Sequence, residues 1–156
     1  HEYEAAHQVV NQLLRQYPEH PKTVDAQLEL GIILKDKGHY PQAIEQFDEL
    51  LSQQLLEANS ASEARFYIGE SYQNMGEYRK AIEAYYKVSY HGAEGFSQWI
   101  TSADFQRARC HQSLGEHATA ITVYERIVRR EGGQSPQGEM AQEQIVALRR
   151  SLGNRN

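Results

Sequence analysis

Covalent reinforcement is what this sequence lacks first. Its single cysteine, Cys110, excludes an internal disulfide framework and leaves the redox compartment open. A chain of 156 residues can bury roughly 70% of its unfolded surface, so it needs no disulfide or metal to fold. Prolines number four, and runs of β-branched residues are nearly absent, which argues against sheet. No apolar run approaches the ~20 residues of a membrane span. No charged-then-apolar N-terminal stretch resembles a signal peptide. Positive charge is also short. Sixteen Lys+Arg against 21 Asp+Glu leave a net charge of −5, the wrong sign for a nucleic-acid-binding domain. Leu, Ile, Val and Phe contribute only 32 residues, close to the composition of disordered chains. Alanine (16) and tyrosine (10) make up the difference, and Ala, Gln and Glu total 49 helix-favouring residues. The balance is that of an all-α protein.

An internal repeat organises the chain. Gly38-His-Tyr40-x-x-Ala43-Ile44-x-x-Phe47 returns as Gly76-Glu-Tyr78-x-x-Ala81-Ile82-x-x-Tyr85, and again as Gly115-Glu-His117-x-x-Ala120-Ile121-x-x-Tyr124. The steps are 38 and 39 residues. Seven residues before each glycine stands a small residue: Gly31, Gly69, Ala108. Five before that stands an alanine: Ala26, Ala64, Ala103. Each unit reads as a helix, a left-handed turn at the glycine and a second helix, with Pro41 suited to a first turn. Ala43, Ile44, Phe47, Leu50 and Leu51 form an apolar stripe at helical spacing. One such hairpin cannot bury its own face, so hairpins must stack. Eight helices are expected, near 2–17, 22–37, 40–56, 61–75, 78–91, 97–114, 117–131 and 136–151.

These units resemble tetratricopeptide repeats, whose period is about 34 residues. The resemblance implies one domain over 1–156, a right-handed α-α solenoid of antiparallel hairpins. It places the second helix of a truncated upstream repeat at 1–21, full repeats at 24–57, 62–95 and 101–134, and a capping helix at 135–152. Tyr3, Ala6, Val10 and Leu13 match the upstream helix, with Pro18 at the family's terminal proline; the chain reads as a fragment of a longer protein. Longer second helices or loops at Glu57–Ala61 and around Gly92–Phe96 would absorb the extra residues. Ser135-Pro136 reads as cap and first helical residue of the last helix. Met140, Ile145, Leu148 and Leu152 would cover the last repeat, while Gln142, Glu143, Arg149 and Arg150 face water. Arg107 and His111 stand where the first repeat has Leu30 and Leu34, which predicts an unwound turn or a shifted helix start in the third.

Catalytic signatures are missing. There is no CxxC, HExxH, GxSxG, Walker loop or dinucleotide fingerprint, and no two histidines stand at i, i+4. Cys110 and His111 are adjacent and point about 100° apart, a poor metal pair; they read as a small core residue and a partly buried histidine. Gly132-Gly133 follows a helix and reads as a linker. No enzyme activity, cofactor or metal is expected.

The resemblance puts function on the concave groove, lined by the first helix of each hairpin. The corresponding residues are Asp25, Leu28, Ile32 and Lys35; Glu63, Phe66, Glu70 and Gln73; Ser102, Phe105, Arg109 and Gln112. Leu28, Ile32, Phe66 and Phe105 form an apolar track that either faces a partner or packs between repeats. Trp99 is either an anchor at the groove rim or packs on Tyr86 and Tyr90. Leu28, Ile32, Glu70 and Ser102 occupy the positions of the family's carboxylate clamp and cannot hold a carboxylate. A peptide or amphipathic helix is the expected partner, with no nucleic acid and no direct membrane insertion. Charge is uneven: residues 1–64 carry 4 basic and 11 acidic side chains, and residues 65–156 carry 12 and 10. Arg126, Arg129, Arg130, Arg149 and Arg150 gather near the C-terminus, as a solvated end, a site for an acidic partner, or one end of a head-to-tail homo-oligomer. The wording of residues 3–47, with its Tyr17-Pro18 step, is similar to bacterial cell-envelope tetratricopeptide proteins of the Tol–Pal-associated type. That implies a periplasmic or envelope position, with the cytoplasm as the alternative.

Overall fold

Among the residues described by the structure, a computed structural model covering 2–17, 21–54, 56–91 and 97–153, the chain forms eight helices and no strand. They are α1 (Glu2–Gln16), α2 (Pro21–Asp36), α3 (Tyr40–Ser52), α4 (Ala58–Asn74), α5 (Tyr78–His91), α6 (Ser97–Ser113), α7 (His117–Glu131) and α8 (Pro136–Gly153). Pro18 and residues 92–96, for which the sequence suggests a repeat end and a loop, lie outside the described residues.

The hairpins turn by one device used three times. Gly38, Gly76 and Gly115 adopt φ of +80°, +76° and +75°, a region that costs other residues strain. Each glycine N–H bonds a carbonyl three residues back (Lys35, Gln73, Gln112), and the next N–H reaches five residues back (Leu34, Tyr72, His111). This Schellman pattern satisfies the last carbonyls of α2, α4 and α6. The small residues ahead of the turns let the hairpin close. A Cβ on Gly31 would lie 2.4 Å from the Phe47 ring, and one on Gly69 would lie 2.5 Å from the Tyr85 ring. In the third hairpin Ala108 packs in one cluster with Tyr124.

Hairpins stack by sharing helices. One core joins α2, α3 and α4 through Leu30, Leu34, Phe47, Leu50 and Ile68. A second joins α4, α5 and α6 through Phe66, Tyr85, Val88 and Cys110. A third joins α6, α7 and α8 through Tyr124, Ile127, Ile145 and Leu148. Helix α8 starts as the sequence suggests: Ser135 Oγ accepts the Gly138 N–H at 2.9 Å, and Pro136 opens the helix.

Three local expectations are corrected. Helix α6 shows no unwound turn. Arg107 is buried but paired with Asp104 Oδ1 at 2.9 Å one turn earlier, and its guanidinium lies over the Tyr86 ring. His111 Nδ1 meets Glu116 Oε2 at 2.7 Å across the turn. The Arg107 guanidinium is paired through Nη2, though its Nε stays buried without a partner among the described residues, and His111 is paired across the turn, so the helix need not yield. The extra residues after α3 are absorbed by an earlier start of α4 at Ala58, neither by a longer α3 nor by a loop alone. Met140 and Leu152 do not cover the last repeat; they are exposed, while Gly138, Ala141, Ile145 and Leu148 make the contact. Met140 sits one residue, about 100°, off that stripe.

Candidate functional groove

The first helices of successive hairpins form one layer: α2 packs on α4, and α4 on α6. Helix α8 packs chiefly on α7 and does not close against α6 in the same way. The result is a cavity of ≈ 1030 Å³ between α4, α6 and α8. Phe66, Gln73, Ser102, Phe105, Arg109 and Gln112, six of the sequence-derived groove residues, line it together.

The remaining groove candidates are not part of this cavity. Leu28 is buried in the first core, with Ile32 packed against it. Lys35 binds Glu70 Oε2 at 3.0 Å and Asp36 at 3.1 Å, and lies over the Tyr67 ring. Glu63 accepts the Tyr67 hydroxyl at 3.2 Å, and Asp25 is exposed. Trp99 follows neither expectation. Its ring packs on Phe66 and Tyr67, and its Nε1 donates to Asn59 Oδ1 at 2.9 Å. Tyr86 and Tyr90 stack on each other and stay exposed.

The apolar track is therefore mostly inter-repeat packing, and it is not a continuous accessible surface. Phe66 is 8% exposed, wedged among Tyr67, Tyr85 and Trp99. Phe105 is half-buried, edge-on to Tyr124, and it alone of the four keeps a substantial face toward the cavity. The physical reason is the closeness of neighbouring first helices. Side chains meant for the groove fill the seam between repeats instead.

Sequence reasoning missed Asn74, Tyr78, Gln106, Ser113 and Tyr124 in the lining, and the far wall of Met140, Glu143 and Gln144. Repeat positions could have found Gln106, which follows Phe105 on α6. The α8 wall carries no repeat signature, because it depends on where α8 swings. Polar contacts tie the floor together: Gln73 Nε2 donates to Gln106 Oε1 at 3.4 Å, and Arg109 Nη1 to the same oxygen at 3.3 Å.

The basic end is partly consumed by the fold. Buried Asp104 accepts Arg126 and Arg130 at 2.8 Å each, besides Arg107 and the Ser89 hydroxyl. Glu131 accepts Arg130 Nε and the Thr101 hydroxyl. Arg149 pairs with Glu125, whereas Arg129 and Arg150 are exposed.

A tetratricopeptide repeat model matches residues 1–53 and 28–95, and a second tetratricopeptide repeat model matches 102–131. No curated protein matches the chain. Solved structures share the fold. The tetratricopeptide-like repeats of a putative kinesin light chain from Podosopora anserina superpose with a TM-score of 0.75 at 21% identity, covering 98% of this chain and 78% of that one. The MamA structure gives 0.70 at 22%, covering 97% and 79%. A tetratricopeptide repeat protein from Parabacteroides merdae gives 0.72 at 17%, covering 96% and 54%.

Proposed function

The chain belongs to the tetratricopeptide repeat family, a fold that mediates protein–protein interaction, and on that premise we propose that it is a scaffold holding a peptide segment in the α4–α6–α8 groove. The observation that carries this is the ≈ 1030 Å³ cavity where α8 parts from α6, with Phe105 and Met140 offering apolar surface beside amides and Arg109. A cavity of that size with few charges suits a segment of uncharged side chains. Met140 is 57% exposed, so Met140→Glu alters the groove without touching a core. Isothermal titration of the wild-type chain and this variant against peptides from a random library tests the reading. Peptides that bind wild type and lose about tenfold in affinity on the variant support it; peptides indifferent to it refute it.

Head-to-tail self-assembly is the second reading. A cleft of ≈ 440 Å³ between α7 and α8, lined by Val128, Ile145 and Val146 and flanked by Arg129 and Arg149, favours it alongside the acidic first half. Light scattering in a salt titration separates the two. Mass that rises with concentration and falls with salt favours assembly, and a salt-independent monomer favours the scaffold. The Tol–Pal-like wording of residues 3–47 supports a place in the bacterial periplasm or envelope, which cell fractionation of the parent organism would test.

A further inference from the structure

Two buried tyrosines stand beneath the groove in the same relation. Tyr85 and Tyr124 have rings almost fully buried in their hairpins, at 0% and 1% exposure. Each sends its hydroxyl to a carboxamide twelve residues earlier: Tyr85 Oη donates to Gln73 Oε1, and Tyr124 Oη to Gln112 Oε1, both at 2.8 Å. In the first hairpin the matching residues are Phe47 and Lys35, so hydroxyl and carboxamide are missing together, and Lys35 turns to Glu70.

We infer that the Tyr85 and Tyr124 hydroxyls set the polarity of the groove, making its glutamines a strip of N–H donors for the main-chain carbonyls of an extended peptide. This rests on the groove reading above and deepens it. A phenol has one proton to place and a weakly accepting oxygen, so against a carboxamide it donates to the carbonyl side. Burial pushes both tyrosines above their ordinary pKa and keeps that proton in place. Gln73 must then turn its NH₂ outward, where it meets Gln106 Oε1. Arg109, which can only donate, meets the same oxygen. The chain of bonds is thus fixed by a donor at each end.

What remains for a ligand on the α4–α6 floor is richest in donors: the Gln106 and Gln112 amides, the second Gln73 hydrogen and the rest of Arg109, beside Asn74, Ser102 and Ser113, which can both donate and accept. Arg109 and Glu143 are the charged side chains of the lining and oppose each other in sign, so a strongly acidic tail gains little. A helix has already engaged its carbonyls, except in its last turn, and cannot use the strip. An extended segment presents free carbonyls along its length.

The test uses the whole chain and a random dodecapeptide phage library, with selected peptides synthesised and titrated by fluorescence anisotropy. Gln112→Glu keeps an acceptor for Tyr124 but replaces the outward donors with an acceptor. It is expected to weaken groove-dependent peptides about tenfold with an unchanged melting temperature. Tyr124→Phe frees the carboxamide to flip and is expected to weaken them about threefold. Replacing single peptide amides by esters, whose carbonyls accept poorly, is expected to weaken binding at the contacted residues. Helix-stapled versions are expected not to bind. Peptides that depend on Met140 but ignore these changes, or bind as well when stapled, overturn this inference alone. A library yielding no peptide sensitive to Met140→Glu overturns the groove reading and this inference with it.

Discussion

At the scale of single residues, the missing side chain of Gly69 is as structural as any present one. The Tyr85 ring occupies the space a Cβ would need, with Cε1 2.5 Å from it. Gly69→Leu is expected to destabilise by about 3 kcal/mol or more, since neither ring nor backbone has room to retreat. Urea denaturation measures it; a midpoint equal to wild type would contradict the packing. Phe66 poses the converse case. A glutamate there would replace a ring held by Tyr67, Tyr85 and Trp99, so Phe66→Glu should cost about 3 kcal/mol or more, whereas Met140→Glu should leave the melting temperature within a degree or two. Cys110 sits wholly inside the second core, and burial pushes its thiol up to about 11. Native protein at pH 8 is therefore expected to resist iodoacetamide, with alkylation appearing only in denaturant, as mass spectrometry would record.

At the scale of elements, the third hairpin substitutes charge for apolar packing. Its first helix holds Asp104 against three guanidiniums, and its turn is pinned by Glu116, which accepts His111 and Arg79, each at 2.7 Å. Hydrogen bonds from His111 and then Arg79 hold the Glu116 carboxyl below its usual 4.5. The Thr101 hydroxyl and then Arg130 do the same for Glu131. A carboxyl with a depressed folded-state pKa stabilises above its ordinary value and loses that contribution as pH falls through the folded one. The urea midpoint is thus expected to decline as pH drops below about 4.5. The Glu116→Gln, Glu131→Gln double variant should show a shallower decline; an identical slope would remove these two groups from the acid response.

At the scale of the whole molecule, each helix leans on its sequence neighbours, and stability propagates along a line. Helix α5 is held by α4 and α6, while α1, among the described residues, packs chiefly on α2, and Val9 on α1 and Tyr17 just after it are exposed. Hydrogen exchange followed by mass spectrometry is expected to show α1 amides exchanging well before those of α5. Equal protection across both would mean a single cooperative unit in place of a stacked array. The same linear plan explains the groove. Neighbouring first helices close their seams wherever they can, and α8 leaves one open.

The recurring glycines, the small residue seven positions earlier and the aromatic after each turn made the eight helices, their order and the family legible in the sequence. These are local relations: a positive φ, a helix period and a ring over a missing Cβ act over a few turns of chain. Groove membership was legible in part, because repeat position places Gln73, Ser102, Phe105, Arg109 and Gln112 on the first-helix layer. Whether a residue there faces a cavity or a seam depends on the separation of two helices some forty residues apart, which no short pattern encodes. Tertiary structure alone decided that Leu28 and Phe66 are core, that Trp99 serves Phe66 and Asn59, and that Asp104 gathers the C-terminal arginines. It also decided that α8 supplies the far wall, since the angle of a helix is set by the sum of its packing contacts and not by its own sequence.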